Sequence, residues 1–91
     1  SKTLLKLKVS TNFLNLGLTY YKKKDYKTAL SFLKKSNLIK EKYNLPEKSL
    51  VYLNIAKVLV ETKDYINAEK NFLLSINYFN KEFGPEYYRL T

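Results

Sequence analysis

Ninety-one residues, 45% apolar and 27% charged, make at most one domain, burying roughly 60–65% of the surface that the unfolded chain exposes. With no cysteine, no histidine and only two glycines, disulfides, thiolate or imidazole metal ligands, His-based nucleophiles and a glycine-rich phosphate loop are excluded. The net charge is +9, and no apolar run approaches the length of a membrane-spanning helix.

The first predicted helix covers 10–23, where Phe13, Leu16, Gly17 and Tyr20 recur at i, i+3, i+4 and i+7 and share one face. Residues 2–9 either extend it or end a preceding element, and their lysines interrupt any signal-peptide core. Lys22, Lys23 and Lys24 complement the dipole at its end. Asp25 then caps a second helix over 26–43, with Tyr26, Ala29, Leu30 and Leu33 as its buried stripe. Pro46 fits the first turn of a third helix, 47–62, where a missing N–H costs nothing, and Glu47 suits the dipole there. Tyr52, Ile55, Ala56 and Leu59 form its core face, and Asp64 caps a fourth helix over 65–83. That helix carries Tyr65, Ala68, Phe72, Ile76, Phe79 and Phe83 as a stripe nearly five turns long. A fifth helix is expected from about residue 86, after Pro85.

The chain repeats itself at a shift of 39 residues. The shift aligns Ser10 with Ser49, Leu14-Asn15 with Leu53-Asn54, and Lys24-Asp25-Tyr26 with Lys63-Asp64-Tyr65. It also aligns Ala29 with Ala68, Ser36 with Ser75, and Pro46-Glu47 with Pro85-Glu86. Repeat one is about 10–45 and repeat two about 46–84, with a third opening at 85. Since the chain lacks an initiator methionine and stops at Thr91 in mid-pattern, a piece of a longer protein is expected. Glycine in a helix interior costs about 1 kcal/mol against alanine. Gly17 and Ala56 therefore point to a close backbone approach, with Ala29 and Ala68 facing them and Tyr20, Leu59, Leu33 and Phe72 filling the flanks.

This pattern resembles the tetratricopeptide repeat family over about residues 10–91. Phe13, Leu16, Gly17, Tyr20, Ala29 and Leu33 carry the resemblance in copy one. Tyr52, Ile55, Ala56, Leu59, Ala68 and Phe72 carry it in copy two. The resemblance implies an all-α fold, a right-handed α-solenoid of antiparallel helix pairs with about two repeats and the start of a third. The common period of the family is about 34 residues, so 39 implies longer second helices. Ser36 and Ser75 stand where the family usually has alanine. The longer period, Leu-Asn-Leu-Gly, Leu-Asn-Ile-Ala and Phe83-Gly84-Pro85-Glu86 are similar to the kinesin light chain and bacterial peptide-sensing subclasses.

In such a solenoid the first helices line the concave side. There the sequence offers Leu14, Asn15, Leu18, Tyr21 and Lys22 in one copy and Leu53, Asn54, Lys57 and Val60 in the other. Asparagine is a poor helix-interior residue, and a carboxamide both donates and accepts hydrogen bonds. The resembled subclasses use asparagines at this place to hold peptide main chain. Leu14 and Leu53 fit inter-repeat core equally well, and Asn15 and Asn54 also fit a general richness in asparagine. The terminal-carboxylate clamp of other family members needs Lys and Asn where Leu14 and Leu18 stand, so that mode is not expected.

All the excess charge lies early: residues 1–42 hold eleven lysines against Asp25 and Glu41, while 43–91 hold six basic and six acidic residues. The asymmetry fits an acidic partner, nucleic acid or an anionic surface, or codon bias toward Lys, Tyr and Asn. Nucleic acid is disfavoured because the tyrosines, Tyr21 excepted, are assigned to core or turns. Neither Asp64 with Glu69 nor Glu82 with Glu86 makes a catalytic pair, so no catalytic residue, metal or cofactor is expected. The expected function is a cytoplasmic scaffold that binds a protein or peptide. The alternative is a sensory or regulatory segment that binds a ligand peptide or another domain of its own chain. Two repeats also predict marginal stability, or self-association through the apolar end at Tyr87, Tyr88 and Leu90.

Overall fold

The computed structural model describes residues 1–84. They form four helices, α1 (Lys2–Lys22), α2 (Tyr26–Tyr43), α3 (Lys48–Glu61) and α4 (Tyr65–Phe83). Helices α1 and α2 pack as one hairpin and α3 and α4 as another, with α3 lying against α2 and touching α1. This is a helical-repeat solenoid of helix pairs. The expected fifth helix and the apolar end at Tyr87, Tyr88 and Leu90 lie outside the described residues.

Residues 2–9 extend α1, with Ser1 as its cap accepting from the Leu4 amide at 3.2 Å. Both hairpin turns have the same construction. Lys24 (φ 64°) and Lys63 (φ 66°) take the left-handed conformation that closes a helix. The following amides reach back five residues, Asp25 to the Tyr20 carbonyl at 2.9 Å and Asp64 to the Leu59 carbonyl at 2.8 Å. Each aspartate then caps the next helix, accepting from Thr28 at 3.3 Å and Asn67 at 3.4 Å. The link between the pairs departs from the expectation for Pro46. Helix α3 begins at Lys48 behind Glu47, which sits at φ 67° and makes no side-chain cap, so Pro46 precedes the cap instead of occupying the first turn. Buried Leu45 anchors the link.

The small residues are buried as the repeat implies, Ala29, Ala56 and Ala68 all in the core, and Gly17 lies against Leu33 and the Ala29 carbonyl. The two serines replacing the family's alanine are hydrogen-bond donors. Ser36 Oγ gives its proton to the Ser10 carbonyl at 2.7 Å, and Ser75 Oγ to the Ser49 carbonyl at 2.8 Å. All four serines are buried, so each bond satisfies a hydroxyl and reinforces one helix pair away from water.

The two first helices are not buried alike. In α3, Val51, Ile55 and Val58 are at most 4% exposed, because α4 covers one side and the first pair the other. The corresponding Asn12, Leu16 and Thr19 of α1 are exposed, since among the described residues no helix pair covers that side. Leu16 therefore leaves the core face on which the heptad-like spacing places it. The long stripe of α4 is also only partly covered: Phe72 packs on the core, while Tyr65, Ile76 and Phe83 are exposed.

Candidate peptide-binding surface

The nine residues named for the concave face fall into three environments. Leu14 belongs to the core with Leu33, Val51, Val58 and Leu59, the inter-repeat role that the sequence left open for it. Leu18, Tyr21 and Leu53 are half-buried, and Tyr21 meets Tyr26 edge-on with ring centroids 5.8 Å apart. Asn15, Lys22, Lys57 and Val60 are exposed.

The two asparagines differ, although the repeat equates them. Asn54 is buried, and its Nδ2 donates to the Leu50 carbonyl one turn back at 2.9 Å. Its amide is engaged by its own helix, so the paired row of free carboxamides is reduced to Asn15. The cause lies in the neighbours: α3 is covered by the first pair, and a polar side chain there must find its partner internally. Tyr21, singled out as the free aromatic, packs on the core instead; the exposed tyrosines include Tyr43 and Tyr65.

Two clefts lie on the side of the second helices, lined by none of the nine residues. One, about 400 Å³, has Leu30, Ile55 and Leu59 together with Lys34, Asn37, Asp64, Asn67 and Asn71. The other, about 520 Å³, joins the link residues Asn44 to Lys48 with Tyr78, Lys81 and Glu82. Beside it, Lys40 is buried and donates through Nζ to the Pro46 carbonyl at 2.8 Å. Burial pushes its pKa down, and Glu47 and Glu82 oppose the shift in part. Glu82 also accepts from the Glu47 amide at 2.9 Å, tying the link to α4.

A polar cluster joins three helices. Glu41 of α2 accepts from the Tyr52 hydroxyl at 3.3 Å, and the Tyr52 ring lies parallel to that of Tyr78 at 5.3 Å. Hydrogen bonding to Glu41, then burial, raises the Tyr78 phenol to about 12. Burial, assisted by Glu41, also raises Tyr52. These groups hold protons more firmly than free phenols, the opposite of what a nucleophile or base needs. Among the described residues no group of three carboxylates has metal-binding geometry, and no helix is long and apolar enough to cross a membrane.

The sequence missed the serine bonds and the Glu41–Tyr52–Tyr78 cluster. The alignment of Ser10 with Ser49 and Ser36 with Ser75 carried the signal for the serines, because positions that recur together at one shift can be partners. Nothing repeated marks the tyrosine cluster.

Comparison with known proteins agrees with this construction. Searches of curated proteins and of solved structures give no match. The family model of the tetratricopeptide repeat matches residues 11–43, the stretch that holds Gly17, Tyr20, the Lys24-Asp25 turn, Ala29 and Leu33. The same turn and serine bond recur in α3 and α4, so the second helix pair is built like the first, whose residues 11–43 match the tetratricopeptide repeat.

Proposed function

We propose that the chain binds an extended peptide along its first helices. Tetratricopeptide repeats generally serve as protein-interaction scaffolds, and that role is typically non-catalytic. The finer reading rests on one observation. Asn15, Lys22, Lys57 and Val60 are accessible beside half-buried Leu18, Tyr21 and Leu53, while Leu14 and Asn54 are buried in the first helices beneath them. A rigid, partly apolar strip with two flanking ammonium groups suits a peptide that alternates apolar and acidic side chains. Asn15 would bond its backbone. The peptide comes from another protein or from another part of the same polypeptide, with two repeats here and a third opening at 85. A regulatory segment of a signalling protein would use the same strip.

The test is capture of a partner by pull-down, followed by titration calorimetry. Asn15→Ala and Lys57→Ala should each weaken binding with unchanged melting, an amide bond contributing about 0.5–1.5 kcal/mol. Asn54→Ala should lower the melting temperature and leave the affinity of the folded protein unchanged. Folded Asn15→Ala and Lys57→Ala variants that bind as tightly as the parent would remove the strip from consideration.

A further inference from the structure

Beside the exposed Asn12, Leu16 and Thr19 of α1 runs a strip of rings and lysines that the peptide reading does not use. Lys6, Phe13 and Tyr20 lie seven residues apart, close to two full turns, and share one stripe of α1. Phe32 of α2 lies against it, its ring near-parallel to Phe13 at 6.1 Å and to Tyr20 at 5.7 Å. Lys35 Nζ stands over the Phe13 and Phe32 rings at 5.9 and 5.3 Å, and Lys23 Nζ over Tyr20 at 5.5 Å. At the other end Tyr43, 39% exposed, has Lys6 Nζ 3.6 Å and Lys42 Nζ 5.4 Å from its ring centre. Asn15, Leu18 and Lys22 point from the opposite side of α1, so the two surfaces are separate.

Charge gathers on the same helix pair, since residues 1–42 carry the whole excess. Of the two acids there, Asp25 caps α2 and Glu41 accepts from Tyr52 of the second pair, so neither interrupts the strip. A general richness in lysine does not produce this arrangement. The 39-residue shift puts Leu45, Thr62 and Leu74 at the places of Lys6, Lys23 and Lys35, and only Lys42 has a lysine counterpart, Lys81. The side is also built for solvent: Asn12 and Thr19 stand where α3, which receives a neighbouring pair, has Val51 and Val58. The sequence disfavours nucleic acid because its tyrosines are assigned to core or turns. The structure supplies the missing element with two phenylalanines, which join Tyr20 toward one end and Tyr43 at the other.

We propose that this strip binds single-stranded nucleic acid without sequence preference, its bases stacking on the rings and its phosphates meeting the lysines. Both elements select that partner. An acidic peptide would satisfy the ammonium groups and leave the rings unused, and a duplex hides the faces of its bases. From Lys6 to Lys23 the strip runs about 26 Å, near the short end of single-strand sites of about 4–16 nucleotides. Binding is therefore weak and strongly dependent on salt.

Fluorescence anisotropy of a labelled oligothymidine of about 12 nucleotides, titrated with the 91-residue chain, tests it. Four phosphate contacts on a single strand predict an affinity about fiftyfold lower at about 200 mM salt than at about 50 mM. Lys35→Gln should reduce that ratio to about twentyfold. Phe32→Leu and Tyr43→Leu, which keep an apolar side chain, should each weaken binding at least about fivefold with the salt dependence unchanged. Circular dichroism melting verifies that both remain folded. Lys70→Gln, an exposed change on α4, should leave the affinity as it is. Absence of binding at about 50 mM salt overturns the proposal. So do folded Phe32→Leu and Tyr43→Leu variants that bind as tightly as the parent, or a Lys70→Gln variant as impaired as Lys35→Gln. Polyglutamate or a duplex that competes as well as the single strand also overturns it, assigning the strip to an acidic peptide or to the phosphate backbone alone.

Discussion

Alanine is the better helix former at an interior position by about 1 kcal/mol, and repeat two carries Ala56 where repeat one carries Gly17. Gly17→Ala would nevertheless destabilise the protein. A Cβ built on Gly17 lies 2.7 Å from both Cγ and Cδ2 of Leu33 and 3.3 Å from the Ala29 carbonyl oxygen. Carbon atoms settle about 3.5–4.0 Å apart, so Leu33 must move about 1 Å. Its branch point as well as its tip is in the way, and Leu33 has no exposed surface into which to move. Overpacking of this kind costs about 1–3 kcal/mol. The net loss is up to about 2 kcal/mol after the helix-propensity gain, a fall of up to roughly 15 °C in Tm for a chain this short. In repeat two Ala56 stands at the place of Gly17, and the place of Leu33 is taken by Phe72, which is only partly buried. Urea denaturation of Gly17→Ala, Leu33→Ala and the double variant separates the two effects. In the Leu33→Ala background the same Cβ meets space, and Gly17→Ala should become stabilising by about 1 kcal/mol. Stabilisation of the parent by Gly17→Ala, or effects that add within about 0.3 kcal/mol, would refute the steric account.

Three further outcomes are expected. Ser36→Ala and Ser75→Ala should each cost about 0.5–1.5 kcal/mol by urea denaturation, the net value of one hydrogen bond, since the Ser10 and Ser49 carbonyls keep the amide of their own helix. Lys24→Gly and Lys63→Gly should each raise stability by up to about 1 kcal/mol, relieving a side chain held in the left-handed region without loss of the turn's hydrogen bonds. Tyr78 binds its proton more tightly folded, at about 12, than the ordinary 10. Its stabilising contribution is therefore complete below pH 10 and is lost as pH rises from 10 to about 12. Tyr78→Phe should flatten the stability profile in that window, read by denaturant titration at each pH.

What a repeat in sequence reports is the geometry shared by its copies. The hairpin turns, aspartate caps, small-residue contacts and serine bonds are all internal to one helix pair. Each is accordingly marked twice in the chain. Coverage by a neighbouring pair is not shared, and the misassignments lie there. Asn15 and Asn54 occupy one repeat position, yet one is exposed and the other buried and bonded to Leu50. The chain records that difference where the copies diverge: Asn12 and Thr19 against Val51 and Val58, polar on the open helix and apolar on the covered one. The divergent positions thus locate the interface between pairs, as the matching ones locate the pair itself. The clefts and the Glu41–Tyr52–Tyr78 cluster form where the first pair meets the second, a junction that occurs once among the described residues and so leaves no periodic signal.

The double coverage of α3 also bears on how the protein opens. Its amides around Val51, Ile55 and Val58 are shut in by both hairpins, so their exchange with solvent deuterium requires separating α3 from one of them. The exposed side of α1 imposes no such condition among the described residues, and the end of that helix can fray alone. Exchange should therefore be slowest in the shortest helix, the reverse of what helix length alone would give. A lesion in α3 would then unfold both pairs at once, whereas one near Leu4 or Leu5 would be confined to the end of α1.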